Sequence, residues 1–415
     1  MTSPKLKNLA SPAARSIFKA LSGKAMFVGG AVRDILSGSF SSKTDIDIAT
    51  PFPPDEIIKR LEKAGIKAIP TGYKHGTITA LINGKPFEIT SLRQDIKTDG
   101  RRAVVSYGTD YVQDALRRDF TINALYADLK GTVFDPLGTG QKDLSCHRLR
   151  FIGDPETRIK EDYLRILRFF RFSTTLGWDS ADKAALTAIK PLAPLIRKLS
   201  KERIKSEFFK ILSAPAPLAA LLLMHKTKVL QNIDPSLTNL QRYKKTAAFA
   251  KLSGIAVSPV LALFSLSKSA DPAVLKKGLV LSNAEYHELC ALSSFHKKAF
   301  AAIRKRGAKI AAFTYGTPLC LAAFCLGGGA ARDFTRSKEN TKIIKELQHF
   351  TPPSFPLTGD DLLALGIKPN KNMGILLSKL KEKWLISGFS LSKRELLVSL
   401  KKTLYPSKKK VGHKR

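Results

Sequence analysis

Two aspartates separated by a single residue, Asp45 and Asp47 in Thr44-Asp45-Ile46-Asp47-Ile48-Ala49-Thr50, set the strictest condition on how this chain can fold. A strand alternates its side chains between two faces, so residues two apart point the same way. The spacing predicts both carboxylates on one face, with Ile46 and Ile48 turned towards a core. Neighbouring carboxylates repel, and a hard divalent cation held between them, most often magnesium, removes the penalty. An isolated Asp-x-Asp is common as plain exposed charge. What sharpens this one is the glycine doublet just upstream, in Phe27-Val28-Gly29-Gly30-Ala31-Val32-Arg33-Asp34. Gly29 and Gly30 let backbone N–H groups come close to a phosphate, and Arg33 adds a fixed positive fork. A phosphate cradle followed by metal-binding carboxylates is the apparatus for in-line attack on a nucleotide phosphate.

Around that nucleus the first third of the chain mixes strand and helix signals. Ala25 to Val28, Asp45 to Ala49, Gly76 to Ile82 and Phe87 to Ser91 read as short strands. Ala10 to Leu21 reads as an amphipathic helix, and Pro54 to Ala64 as a helix entered through prolines. Asn83-Gly84 is a hairpin turn signal. The basic, glycine-containing stretch Lys97 to Ala103 reads as a mobile loop beside the site. Beyond about residue 150 helical periodicity takes over, and proline-rich breaks at Pro215 to Pro217 and Thr351 to Pro356 mark boundaries. At 415 residues the chain is too long for one simple core. The expected class is α+β: a small mixed sheet with flanking helices over 1–145, then all-helical segments over 146–215, 216–350 and 351–400. Residues 401–415 form a basic tail, expected to be disordered unless RNA orders it.

Charge narrows the partners. Seventy Lys plus Arg stand against 34 acids, a formal net charge of +36, which calls for a large polyanion: nucleic acid, or an anionic membrane surface. No segment approaches the roughly 20 apolar residues needed to span a bilayer. The runs Leu218 to Met224 and Leu319 to Leu326 have the length of buried helices. Four cysteines without a Cys-x-x-Cys pair indicate neither a zinc site nor a disulfide framework, which fits a reducing, cytoplasmic setting. Residues 1–25, basic and acid-free, carry a faint transit-peptide character, but the helix from Ala10 leaves little room for cleavage.

Three further blocks follow in order: Arg117-Arg118-Asp119-Phe120-Thr121-Ile122-Asn123-Ala124, Asp135-Pro136-Leu137-Gly138 and Glu161-Asp162-Tyr163-Leu164-Arg165. With the glycine and aspartate motifs they resemble the class II tRNA nucleotidyltransferases and bacterial poly(A) polymerases of the DNA polymerase beta superfamily. The resemblance is strong through about residue 215 and thinner beyond. It implies a nucleotidyltransferase head, then helical neck, body and tail domains. It also implies Mg2+ at Asp45 and Asp47, CTP and ATP as substrates, and tRNA as partner. Glu88, in Phe87-Glu88-Ile89, is either a third carboxylate at the metals or a strand-edge glutamate facing water. Arg117-Arg118-Asp119 precedes an apolar, helix-like run through Leu125. By resemblance Arg118 contacts the nucleotide and Asp119 accepts from a ribose hydroxyl.

Glu161, Arg165, Arg168 and Phe172 share one helical face, and Asp162 and Arg165 are i, i+3 neighbours. Taken alone, this is a salt-bridged helix surface. Beside the upstream motifs it can read a base. Cytosine and adenine both set an exocyclic amine beside a ring-nitrogen acceptor, which a carboxylate and a guanidinium can pair. Guanine and uracil present a carbonyl and a ring N–H there. An Asp162–Arg165 pair would therefore choose C and A without a template, with Arg168, Arg171 and Glu161 lining the same pocket by resemblance. The stretch Pro70 to Thr79 is similar to the CCA-adding branch, whereas the basic tail resembles poly(A) polymerases. CC-adding, A-adding and poly(A) activities stay open, as does a non-catalytic RNA-binding relative.

Overall fold

The computed structural model describes residues 4–41, 44–99, 102–175, 182–269, 271–327 and 337–404. They belong to two compact units, Met1–Thr238 with Val274–Val280, and Asn239–Ala273 with Leu281–Arg415.

Among the described residues nine strands are found, all in the first unit: β1 (Met26–Val28), β2 (Asp47–Thr50), β3 (Lys67–Gly72), β4 (Thr77–Ile82), β5 (Lys85–Ser91), β6 (Arg93–Asp99), β7 (Arg102–Tyr107), β8 (Tyr126–Ala127) and β9 (Val133–Phe134). Seven form one sheet in the order β3-β4-β5-β2-β1-β8-β9, and β6 and β7 form a separate ribbon. The sheet is mixed, because β2 and β5 run parallel while its other pairs are antiparallel. The expected turn closes β4 on β5: Asn83 and Gly84 both take positive φ, 51° and 74°, the conformation a two-residue hairpin demands.

Two helices pack against this sheet. In Pro12–Ala20, Ser11 caps the first turn by accepting from the Ala14 N–H, and Phe18 meets Phe27 at 4.8 Å between ring centroids. Pro54–Lys63 starts on a proline with Asp55 and Glu56 in its first turn, and buries Ile57 and Leu61. Ile48, Ile78 and Ile89 are fully buried within the sheet. Strand alternation then turns Asp47 and Glu88 to the opposite face.

Beyond Phe134 no named strand follows among the described residues. The helices Pro155–Glu161, Leu164–Thr175, Lys183–Leu192 and Lys201–Leu212 continue the first unit. An aromatic cluster fastens them to the sheet region. Phe120 lies 4.8 Å from Phe151 and 5.5 Å from Phe172, and Phe151 stacks on Phe169 at 5.8 Å.

The second unit is helical throughout its described residues. Its longest helix, Asn283–Arg306, opens on a capping box between Ser282 and Glu285. The apolar run from Leu319 lies in helix Thr317–Gly327, with Leu319, Cys320, Ala323 and Phe324 buried. Trp384 gathers Phe313, Phe355 and Phe389 at 4.9 to 5.5 Å. No single helix among the described residues is long and apolar enough to cross a membrane.

Four local expectations are revised. Lys97 to Ala103 is not a loop, because β6 and β7 pair across it in a ribbon; Gly100 and Arg101 lie outside the described residues. The Arg102-Ala103-Val104-Val105 segment carries β-formers that outweigh its basic ends. The run after Asp119 is only a 3-10 turn, Thr121–Asn123, before β8. Asp119 accepts from the Phe120 N–H and the Asn123 amide, a local alternative to a helix ladder. The segment 161–172 is not one helix, because Asp162 takes extended φ/ψ of −155° and 108°. Of the tail expected to be disordered, Lys401–Leu404 close the helix begun at Lys393, and 405–415 lie outside the described residues.

Candidate active site

Of the expected site residues, all but Glu161 line one cleft of about 790 Å³ in the first unit. These residues, from five separate stretches of sequence, meet there, three of the stretches because the sheet order sets β1, β2 and β5 side by side. Pairing places Asp47 across from Val28 on one side and from Glu88 on the other.

Gly29 sits where β1 turns into the helix Gly30–Leu36, with φ of +71°. A Cβ there would lie 3.3 Å from Arg118 Nη1 and 3.9 Å from Asp47 Oδ2. Its N–H is committed to the Leu125 carbonyl, so glycine is needed at this position for conformation and closeness. Gly30 opens the helix, whose first-turn N–H groups have no intrahelical acceptor. Gly29→Ala should displace Arg118 and cut turnover by roughly tenfold or more, with a stability loss of about 1 kcal/mol for the left-handed backbone. Steady-state kinetics beside a thermal melt checks both.

Asp45 is exposed just ahead of β2, while Asp47 is half buried. Burial, then Glu88, and more weakly Asp45, push the Asp47 carboxyl up to about 6, against the pull of Arg118 and Arg33. A carboxylate beside two others, paired with no described donor, is poised for a cation. Among the described residues no three carboxylate, histidine or cysteine side chains close into a ready metal cage.

Arginines face these acids, each paired with an acid of the protein. Arg33 is bound to Asp34 at 2.6 Å and to the Asn123 side chain. Arg117 and Arg118 share the buried Asp114, which also accepts from Tyr126 Oη at 2.6 Å. Burial would raise the Asp114 carboxyl, but Arg118 and Arg117 hold it below the usual range. Asp119 accepts from Arg168 at 2.6 Å and from the Asn123 amide. Against its burial, these two bring its carboxyl down to about 2. A carboxylate depressed in the fold stabilises it above the unfolded value of 3.8, and that contribution is lost as pH falls through about 2. Asp119→Asn should therefore cost about 2 kcal/mol at pH 7, and the difference from wild type should vanish below about pH 2. Urea unfolding across pH measures it.

The break at Asp162 shapes the far wall. Asp162 Oδ1 accepts from the Leu164 N–H and restarts the helix, while Oδ2 takes Arg203 at 2.7 Å. Arg165 is not paired with Asp162. It donates to Glu161 and, at 2.7 Å, to the Arg158 carbonyl. Glu161 thus stands behind the cleft, gripping Arg165 and Arg158 together. Arg158 donates to the carbonyls of Arg117 and Arg118 at 2.7 Å each, tying this wall to the arginine block. Arg171 pairs with Glu207 at 3.2 Å. Sequence reasoning assigned no individual role to Asp114, Asn123, Arg158, Arg203 or Glu207, although Asn123 stands in one of the site blocks. Arg203 and Glu207 carried a signal in Lys201-Glu202-Arg203 and Ser206-Glu207, charges recurring on one helix face opposite an acid-base pair.

Comparison with known proteins gives concordant results. Residues 25–150 match the Poly A polymerase head domain family, and residues 181–240 match the family described as the probable RNA and SrmB-binding site of polymerase A. The chain is 36% identical over 386 residues to CCA tRNA nucleotidyltransferase 1, mitochondrial, of Homo sapiens, covering 90% of this chain and 86% of that one. Against the Mus musculus protein of the same name the identity is 34% over 417 residues, with coverages of 97% and 93%. The Bacillus stearothermophilus CCA-adding enzyme in complex with CTP aligns with a TM-score of 0.70 at 24% identity, covering 95% of this chain and 99% of its own. The Thermotoga maritima CCA-adding enzyme complexed with tRNA aligns with a TM-score of 0.66 at 20% identity, covering 97% and 99%. At such identities these two structures establish a shared fold.

Proposed function

The chain belongs to the class II tRNA nucleotidyltransferase and poly(A) polymerase family, and on that premise we propose how its cleft carries out the family's reaction. The activity is template-independent addition of C, C and A to the 3′ end of tRNA from CTP and ATP, with release of pyrophosphate. The observation that carries this reading is that Asp45, Asp47 and the acid–arginine wall around Asp162 line the same cleft.

The tRNA 3′ hydroxyl attacks the α-phosphate of the incoming nucleotide. Arg33, Arg168 and Arg171 hold the triphosphate, with the first turn of the helix at Gly30 behind it. Family members use divalent metal ions; here we assign Mg2+ to Asp45 and Asp47, where it would neutralise charge on the reacting phosphate and help ionise the hydroxyl. Glu88, beside Asp47, raises the local negative charge and so strengthens the demand for a cation. Arg118 orients the nucleotide. Asp119 faces the ribose, and its hold on Arg168 couples sugar and phosphate contacts. Asp162 accepts from the amine of C or A, and Arg165, steered by Glu161, donates to the ring nitrogen. U and G leave both groups opposed by like partners.

In this reading, 216–350 and 351–400 supply an RNA-binding body and tail, whose basic residues follow tRNA phosphates and make affinity fall with salt. The cytoplasm is the compartment proposed, supported by four free cysteines; cell fractionation tests it.

The test is tRNA lacking CCA, incubated with each NTP singly and then with all four. Two C from CTP alone, one further A when ATP is added, then arrest, is the expected pattern. Long A tracts on any RNA would assign a poly(A) polymerase, and arrest after C, C even with ATP a CC-adding enzyme. Addition of a single A only to tRNA already ending in CC would mark an A-adding one.

A further inference from the structure

Three guanidinium groups converge on one ring inside the cleft. The carbons at the centres of the Arg33, Arg168 and Arg171 guanidiniums lie 4.7, 5.3 and 4.3 Å from the centroid of Phe172. Arg33 comes from the helix after the glycine doublet, the other two from Leu164–Thr175, and all four side chains line the cleft. Phe172 is only 5% exposed, and Phe120 fixes it edge-on at 5.5 Å and 77°.

Each arginine is also tied to its own acid: Arg33 to Asp34, Arg168 to Asp119, Arg171 to Glu207. Crowding three cations is unfavourable without a counter-charge. Burial, helped by Arg168 and Arg33, holds the Arg171 guanidinium below its usual range despite Glu207. An aromatic face carries a negative quadrupole that attracts such cations, most strongly where water is excluded. The acids fix one edge of each fork and the ring holds each guanidinium carbon within 5.3 Å of its centroid, so the remaining donors have few orientations left.

We propose that Phe172 is a positioning residue which gathers Arg33, Arg168 and Arg171 into one pre-formed receptor for the nucleotide triphosphate. This rests on the nucleotidyltransferase reading above. Most of the ordering is completed before substrate arrives, so the ring acts on nucleotide affinity rather than on the chemical step. Without it the three arginines repel one another apart, and the triphosphate must reassemble them on binding.

Fluorination tests the ring's charge with almost no change of shape. Phe172→4-fluorophenylalanine, Phe172→3,5-difluorophenylalanine and Phe172→3,4,5-trifluorophenylalanine drain the quadrupole stepwise. The expected result is a stepwise rise in KM for CTP and ATP, on the order of tenfold across the series. kcat should stay nearly constant and KM for tRNA unchanged. Phe172→Leu should match the trifluoro variant in KM, with Phe172→Tyr close to wild type. A flat KM across the fluorinated series, or kcat falling in place of the rise in KM, overturns the proposal and leaves Phe172 as core packing. The wild-type chain run alongside separates the two readings: no incorporation by wild type defeats the nucleotidyltransferase assignment, whereas a flat series with an active wild type defeats only the role of the ring.

Discussion

Asp47→Asn is expected to cut nucleotide incorporation by about three orders of magnitude or more and, at the same time, to stabilise the ligand-free protein. The two effects have one cause. Burial, Glu88 and Asp45 disfavour charge on Asp47 and lift its carboxyl from 3.8 to about 6. For an acid, a raised folded value means the fold is penalised wherever the group is ionised. The penalty is therefore full above about pH 6 and fades as pH falls through 6 towards 4. At pH 7 it amounts to about 3 kcal/mol, which Asn removes while keeping the shape. Divalent cation should raise the melting temperature of wild type, because it binds the folded state alone, and leave the variant unmoved. Activity and urea unfolding, each with and without Mg2+, measure all three. Retained incorporation by the variant removes the metal-site assignment.

Asp162→Ala gives the second large effect, on choice rather than chemistry. Losing the acceptor for the exocyclic amine should lower kcat/KM for CTP and ATP by about a hundredfold, equivalent to about 3 kcal/mol. Addition of U and G should hardly change, so discrimination collapses. The variant also loses the bond to the Leu164 N–H that restarts the helix, and leaves Arg203 without this acid. A stability loss of about 1 kcal/mol is expected with it. Single-nucleotide extension of tRNA ending before CCA, run with each of the four triphosphates, reads the ratio directly. An unchanged C-to-U preference would place base choice elsewhere.

Much of this cleft could be read before the fold was known, for a physical reason. Residues such as Gly29 and Asp47 owe their identity to short-range geometry: a left-handed turn, a strand alternation, a carboxylate pair. Asn83-Gly84 is of the same kind, since both residues must take positive φ. What escaped lay in partnerships across long stretches of sequence. Arg158 holds the Arg117 and Arg118 carbonyls some forty residues away, and Arg203 reaches back as far to Asp162. No periodicity encodes such pairs. The helix break at Asp162 escaped for another reason. Glu161 to Phe172 has an unbroken helical pattern, yet the Asp162 side chain competes with the backbone and ends one helix while starting the next. The ribbon of β6 and β7 was hidden by its charge, and the short β8 and β9 by length, since two residues carry almost no alternation.

The central claim is that one cleft holds the triphosphate between the Asp45–Asp47 acids and the Asp162–Arg165 wall. A crystal structure with CTP and Mg2+ tests it most directly. The expected complex has the cytosine amine against Asp162, its ring nitrogen against Arg165, the phosphates among Arg33, Arg168 and Arg171, and metal beside Asp45 and Asp47. A cytosine ring seated away from that wall, with no ion next to β2, would contradict it.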